Sequence, residues 1–204
     1  LMSKDEASRA RLAEALFQPA SIALIGASGD ARKNTSRPQR FLRKHGYAGR
    51  IVPVNPGRSE IFGERAYPDL ASVPHAVDHA FIMVPANAVA AALEQCAAKK
   101  VTVATIYSDG FAETGAEGRR AQERLLAIAR AGGVRLIGPN CIGLVSTEPS
   151  CALSVNAVLE FADIRGAYGI GFRFNTYKAV FLRLDIAGGG SEGIRTFLKF
   201  SGVF

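Results

Sequence analysis

"SIALIGASGDARKNTSRPQRFL", residues 21–42, decides how this 204-residue chain is read. "SIALI" (21–25) is a continuous apolar run of strand length, the signature of a strand covered on both faces. A loop of small and polar residues follows (26–34), and then a basic stretch that predicts a helix over 36–45, with Pro38 tolerated in its first turn. A strand, a small-residue loop and a helix N-terminus form a general anion cradle, because the first amides of the helix have no partner within it. Yet the Gly-x-Gly-x-x-Gly fingerprint of a dinucleotide site is missing.

Outward from this stretch a rhythm appears. Residues 4–17 predict a helix with Leu12, Leu16 and Phe17 on one side, stopped by Pro19. "RIVPV" (50–54) is the next buried strand, completing a strand–helix–strand unit that should be parallel and right-handed. "HAFIMV" (79–84) is a strand, and Asn87 offers a cap for a helix running to about Ala98. "VTVATIY" (101–107) is a strand. Residues 116–131 predict a helix with Leu125, Leu126 and Ile128 inward, closed by Gly132-Gly133, and "VRLIG" (134–138) is a strand. Strands alternating with helices predict an α/β fold, a Rossmann-like parallel sheet with helices on both faces. Past about 147 the rhythm weakens, leaving one alternating strand in which Val180, Leu182, Leu184 and Ile186 oppose Phe181, Arg183 and Asp185. The domain boundary is therefore drawn at 148, with 149–204 an extension or the altered start of a second domain.

Hydrophobic residues make up 48% of the chain and charged residues 21%, a balance that argues against wholesale disorder. No apolar run approaches the roughly 20 residues that span a bilayer. The N-terminal "LMSKDEASRARLAEALF" has no apolar secretory core, so a cytoplasmic location without membrane association is expected. Cys96, Cys141 and Cys151 show no metal-ligand spacing and are expected to be free thiols. The net charge of +7 suits an anionic partner. Nucleic acid is not favoured, since no recognition helix or stacking motif accompanies the charge.

Ligands of parallel α/β sheets sit beyond the carboxyl ends of the strands, so five loops matter. In the first (26–34), Gly26 permits a tight turn, Gly29 admits a phosphate, Ser28 supplies a hydroxyl, and Arg32, Lys33 and Arg37 add charge. In the second (54–63), Asn55 stands where a nicotinamide-binding domain places an acid for the ribose diol. An amide there, with Arg58 nearby, would accept a ribose 3′-phosphate that a carboxylate would repel. In the third (84–87), Val84, Pro85 and Ala86 offer an apolar strand end. In the fourth (107–115), Ser108, Gly110 and Phe111 offer hydrogen bonds and an apolar wall. In the fifth (138–143), Asn140 sits in a Pro-Asn turn between Gly138 and Gly143.

"LFQPASIALIGAS", "IVPVNP", "FIMVPAN", "TIYSDGFAETG" and "GVRLIGPNCIG" together resemble the CoA-binding domain of nucleoside-diphosphate-forming acyl-CoA synthetases, relatives of the succinyl-CoA synthetase alpha subunit. The resemblance covers about residues 14–148. It implies a Rossmann-like domain holding coenzyme A along the strand ends. Gly26, Ser28, Gly29 and Lys33 would lie near the CoA phosphates, with Asn55 and the basic contact Arg58 after the second strand. Val84, Pro85 and Ala86 would meet the adenine–pantetheine region, and Ser108, Gly110 and Phe111 would flank the pantetheine. Asn140 would lie near the reacting thiol.

The reaction that the resemblance implies joins a carboxylic acid to CoA while ATP or GTP is cleaved to NDP and phosphate, through an acyl phosphate and a phosphohistidine. Nucleotide and Mg2+ belong to an ATP-grasp domain or subunit, expected as a partner in an oligomeric assembly. His45, His75 and His79 do not match the phosphohistidine motif, so no catalytic residue is expected in this chain. After "ALSVNAVLEFADIR" the sequence departs from the family pattern, and residues 165–204 are not expected to form the family's second domain. The alternative reading is an NAD(H)-binding Rossmann dehydrogenase or redox-sensing regulator, which the missing glycine pattern and missing acid oppose.

Overall fold

The computed structural model describes residues 4–147, 150–161, 168–175, 180–188 and 195–202. Two compact units divide the chain, Leu1–Glu160 and Phe161–Phe204.

The first unit opens with helix α1 (Lys4–Phe17). Strands β1 (Ser21–Ile25) and β2 (Arg50–Val54) flank helix α2 (Arg37–Lys44), which a 3-10 turn at Asn34–Ser36 introduces. A small hairpin, β3 (Glu60–Ile61) and β4 (Glu64–Arg65), follows. Then come β5 (His79–Ile82), α3 (Ala86–Ala98), β6 (Val103–Ile106), α4 (Ala116–Gly132) and β7 (Arg135–Ile137). Strands β2-β1-β5-β6-β7 lie in that order in one sheet, and every pairing is parallel. The five strands expected from the sequence are all present. β1 is an interior strand, flanked by β2 and β5, and is buried along its whole length, as its unbroken apolar run requires.

Successive strand residues feed two cores. Ala23, Ile25, Ala80 and Ile82 pack against α3 and α4 through Val89, Leu93 and Leu125. Ile22, Leu24 and Phe81 pack on the other face against Leu42 of α2. Pro53 is tolerated in β2 because that strand is at the sheet edge. Its carbonyl faces outward and accepts from the Tyr67 amide at 3.0 Å, so the absent N–H falls on the same outer side.

Three local expectations are corrected. Asn87 does not cap α3: the helix begins at Ala86, and Pro85 holds the cap position with extended dihedrals. Phe17 is 50% exposed and Leu126 is 41% exposed. On a 3.6-residue period the buried stripe of α4 runs through Leu125 and Ala129, and position 126 is rotated away from it. In α1 the buried position is Ala15, with Leu12 and Leu16 half-buried.

Beyond the sheet, β8 (Gly143–Ser146) and β9 (Cys151–Ser154) form an antiparallel hairpin. Cys151 and Leu153 join the α2-side core. Contacts of the first unit thus continue past residue 148, to Glu160. The second unit contains β10 (Tyr168–Asn175), β11 (Val180–Gly188) and β12 (Arg195–Gly202), an antiparallel three-stranded sheet. β11 contains the alternating strand read from residues 180–186.

His79 anchors α1 to the sheet. It is fully buried, its Nδ1 donates to the Ala15 carbonyl at 3.0 Å, and its Nε2 accepts from the Thr105 hydroxyl at 2.8 Å. Burial lowers its pKa to about 4, from an ordinary value of about 6.5. The unfolded chain therefore binds a proton first as the pH falls. The stability contributed by neutral His79 is intact above pH ~6.5 and is lost progressively toward pH ~4. The melting temperature of the protein is expected to fall across this window, and its difference from that of His79→Gln should shrink with it. A difference that stays constant with pH would show that His79 is not held neutral.

Candidate functional site

All five strands end on one side of the sheet. After β1 the chain crosses to β2 on one side, and after β2 it returns to β5 on the other, so β1 lies at the point where the winding reverses. A crevice opens at such a point in doubly wound sheets.

Gly26 is held between the two neighbouring strand ends. Its φ is +86°, and a Cβ there would lie 3.0 Å from Val84 Cγ1 and 3.1 Å from the Met83 carbonyl. Its amide donates to the Val54 carbonyl at 2.9 Å, while the Met83 amide donates to the Ile25 carbonyl at 2.8 Å. Only glycine combines that dihedral with that proximity. Beyond it, Ser28 Oγ accepts from the Asp30 amide at 3.1 Å. A Cβ on the exposed Gly29 would meet nothing within 4 Å, leaving space against bare backbone.

Asn55 joins the second loop to the first. Its Nδ2 donates to the Ala27 carbonyl at 2.8 Å, and its Oδ1 accepts from the Gly57 amide at 2.8 Å. Both ends of the amide are occupied by backbone, so its immediate work is to position two loops. This explains in structural terms why no acid stands here: a carboxylate would turn an oxygen toward the Ala27 carbonyl with no proton between them.

The third, fourth and fifth loops are stitched in the same way. The Ser108 hydroxyl donates to the Val84 carbonyl. The Asn140 amide donates to the Ser108 carbonyl at 2.9 Å, and the Cys141 amide to the Ile106 carbonyl at 3.1 Å. Gly110, at φ +92°, brings the fourth loop to within 3.3 Å of Ala86 Cβ, measured from the position its own Cβ would take. Glu113 folds back to accept from the Gly110 amide at 2.7 Å, and backbone amides at 113, 111 and 110 hold its carboxyl below the usual range. Val84 and Ala86 are half-buried, and Pro85 is exposed beside them. Asn140 is exposed at φ +56°, and its side-chain amide makes no hydrogen bond among the described residues.

Phe111 is 2% exposed and belongs to the core under α3 and α4, so its ring anchors the fourth loop from below, and the residue also lines the groove beside that loop. The backbone of the fourth loop can pass close to α4 because Gly118 has no side chain: a Cβ there would lie 1.9 Å from the Phe111 carbonyl oxygen. An open groove of about 430 Å³ runs beside Ala86, Gly110 and Gly118.

The basic stretch that opened the sequence is mostly spoken for. Arg32 pairs bidentately with Asp30, at 3.0 and 2.9 Å. Arg37 donates to the Val155 carbonyl at 3.2 Å, Arg40 pairs with Glu160, Arg43 pairs with Glu64, and Lys44 donates to the Leu159 carbonyl at 2.9 Å. Arg32 and Arg37 are thus engaged within the protein. Among the described residues, Lys33 alone of this group makes no side-chain hydrogen bond or ion pair; it is exposed, and its charge is felt by Asp30 in the same loop. Arg58, on the second loop, is likewise exposed and unpaired among the described residues.

One link across the crevice escaped the sequence reading. Asn34 Nδ2 donates to the Tyr107 hydroxyl at 3.4 Å, joining the first loop to the fourth above β5. The partners are 73 positions apart, and no local pattern announces them. Among the described residues no group of three or more His, Cys, Asp or Glu is arranged to hold a metal. His45 and His79 are buried and bonded to backbone carbonyls, and His75 is exposed.

The Asn55 bond yields a sharp expectation. Asn55→Asp should destabilise the fold by about 1–3 kcal/mol, more than Asn55→Ala, because it leaves an acceptor facing an acceptor. Urea unfolding measures both. An Asp variant as stable as the parent would mean that the 55–27 bond is not what holds the loops.

Residues 20–147 match a family model described as a CoA binding domain. The chain is 36% identical over 167 residues to subunit alpha of ADP-forming acetate–CoA ligase II from Pyrococcus furiosus, covering 79% of this chain and 36% of that protein. It is 43% identical over 138 residues to subunit alpha of the corresponding ligase I from the same organism, covering 66% and 30%. A solved structure of dinucleotide forming acetyl-coenzyme A synthetase 1 from Ca. Korarchaeum cryptofilum, in complex with phosphate and ADP, superposes with a TM-score of 0.66 at 34% identity, covering 70% of this chain and 30% of that one. The chain thus spans about a third of the length of these relatives. The matched residues 20–147 contain all five parallel strands and every loop of the rim, and the chain belongs to the CoA binding domain family.

Proposed function

We propose that this chain binds coenzyme A along the strand-end rim, as the CoA-binding part of an NDP-forming acyl-CoA synthetase. The observation that carries the reading is the charge left at the rim. Lys33 and Arg58 are the unpaired cations of the first two loops, and Asn55 between them is neutral and locked by backbone. Such a rim suits an adenosine cofactor that carries phosphate on its ribose.

The phosphates would lie over Gly26, Ser28 and the open backbone at Gly29, with Lys33 and Arg58 as counter-charges. Val84, Pro85 and Ala86 would take the adenine–pantetheine region. Ser108 and Gly110, with the backbone of Phe111, would flank the pantetheine arm, and the free amide of Asn140 would face its thiol end. The relatives named as acetate–CoA ligases support a reaction of carboxylic acid, CoA and ATP or GTP giving acyl-CoA, NDP and phosphate. Nucleotide and Mg2+ would act on an ATP-grasp domain or subunit within an oligomer, in the cytoplasm. We also propose that residues 1–148 are the CoA-binding domain and that residues 165–204 do not form the family's second domain. Their antiparallel sheet supports this, because a parallel α/β domain would not begin that way. A protease-resistant fragment that begins near 165 and folds by itself would argue against it.

A thermal-shift and calorimetry panel with CoA, dephospho-CoA, acetyl-CoA, NAD and NADP tests the reading. A ligand that binds only the folded form raises its melting temperature. CoA should do so, NAD should not, and dephospho-CoA should bind more weakly. Arg58→Glu should weaken CoA by more than ~1 kcal/mol, about fivefold. Equal affinity for CoA and dephospho-CoA would remove the 3′-phosphate contact, and binding of NAD without CoA would overturn the proposal.

A further inference from the structure

At the opposite edge of the sheet, where the strands begin, a second set of cations converges. Arg11 of α1, Lys100 of the turn between α3 and β6, and Arg135 at the start of β7 line one cleft of about 260 Å³, together with the hydroxyl-bearing Ser8 and Thr102. The three cations come from three separate elements of the chain. All three are exposed, and none makes a hydrogen bond or ion pair among the described residues. No Asp or Glu lines the cleft. Like charges gathered without a counter-charge raise the energy of the fold.

Lys100 adds an independent observation. Its φ is +59°, in the left-handed region, at the turn that ends α3. Glycine is the residue that such a position favours, and any other side chain strains it. The neighbouring Lys99 is occupied with the Val73 carbonyl, so the charge that stays free is the one carried on strained backbone. A residue kept at a conformational cost points to a use for its side chain.

We infer that this cleft is an anion site for a small oxyanion of the phosphate class, separate from the strand-end rim. Arg11 and Arg135 supply planar donors suited to a tetrahedral oxyanion. Lys100 supplies a point charge, and Ser8 and Thr102 supply hydroxyl donors. The anion would be either free phosphate or the terminal phosphate of a small phosphomonoester.

The test is a titration of the whole chain with inorganic phosphate, and in parallel with phosphoserine, following backbone amides by NMR. Saturable shifts are expected at residues 100–102 and 133, and the tighter of the two ligands identifies the source. Arg11→Glu and Arg135→Glu should each weaken binding there by roughly tenfold. Lys33→Glu, on the opposite rim, should leave it unchanged. Lys100→Gly distinguishes a ligand role from a structural one, because it should weaken binding without lowering the melting temperature. Shifts confined to residues 26–36, shifts that survive both charge reversals, or a Lys100→Gly variant that melts lower and binds as well would overturn the inference.

Discussion

The ends of β1 and β5 approach each other this closely only because position 26 carries no side chain. The place a Cβ would occupy is already within 3.1 Å of Met83 and Val84. That proximity exists because β1 lies between β2 and β5, and the loops leaving all three must pass one another. The rest of the rim follows from it. Asn55 holds the second loop to the first, Ser108 holds the fourth to the third, and the Asn140 amide holds the fifth to the fourth. Most residues singled out at the rim are therefore scaffold first. What they leave available is bare backbone at Gly29, the cations Lys33 and Arg58, and the side-chain amide of Asn140.

The electrostatics of α2 sharpen that picture. A run of arginines and lysines beside a phosphate-type loop invites the reading that all of them meet phosphate. Instead, Arg37, Arg40, Lys44 and His45 grip residues 155–160, several through backbone carbonyls. Charge-assisted bonds of this kind are stronger than neutral ones, and they make the segment after β9 part of the first unit. The same helix thus serves two ends: its N-terminal approach faces the rim, and its basic face clamps the end of the unit.

Much of the fold was legible before any coordinates. The five parallel strands, α1, α2, α3 and α4 are where periodicity put them, because burying a strand on both faces demands continuous apolar runs and burying one helix face demands a 3.6-residue stripe. Errors fell where a single turn decides the outcome. Pro85 displaced Asn87 as the cap of α3, and one step around α4 separated buried Leu125 from exposed Leu126. The β8–β9 hairpin was missed because its partner face is α2, more than a hundred positions earlier in the chain.

The sequence by itself determined that the loops bear glycine, amide and cation at the ends of alternating strands, since turn geometry and composition are local properties. Only the tertiary structure decided which of those groups remain free. A guanidinium or an amide is available to a ligand only if no carboxylate or carbonyl from a distant segment has claimed it. Arg37 was claimed by Val155, Asn55 by Ala27 and the ring of Phe111 by the core, while Lys33 and Arg58 were left to the solvent. Such pairings join positions far apart in the chain, and no window of sequence contains both partners.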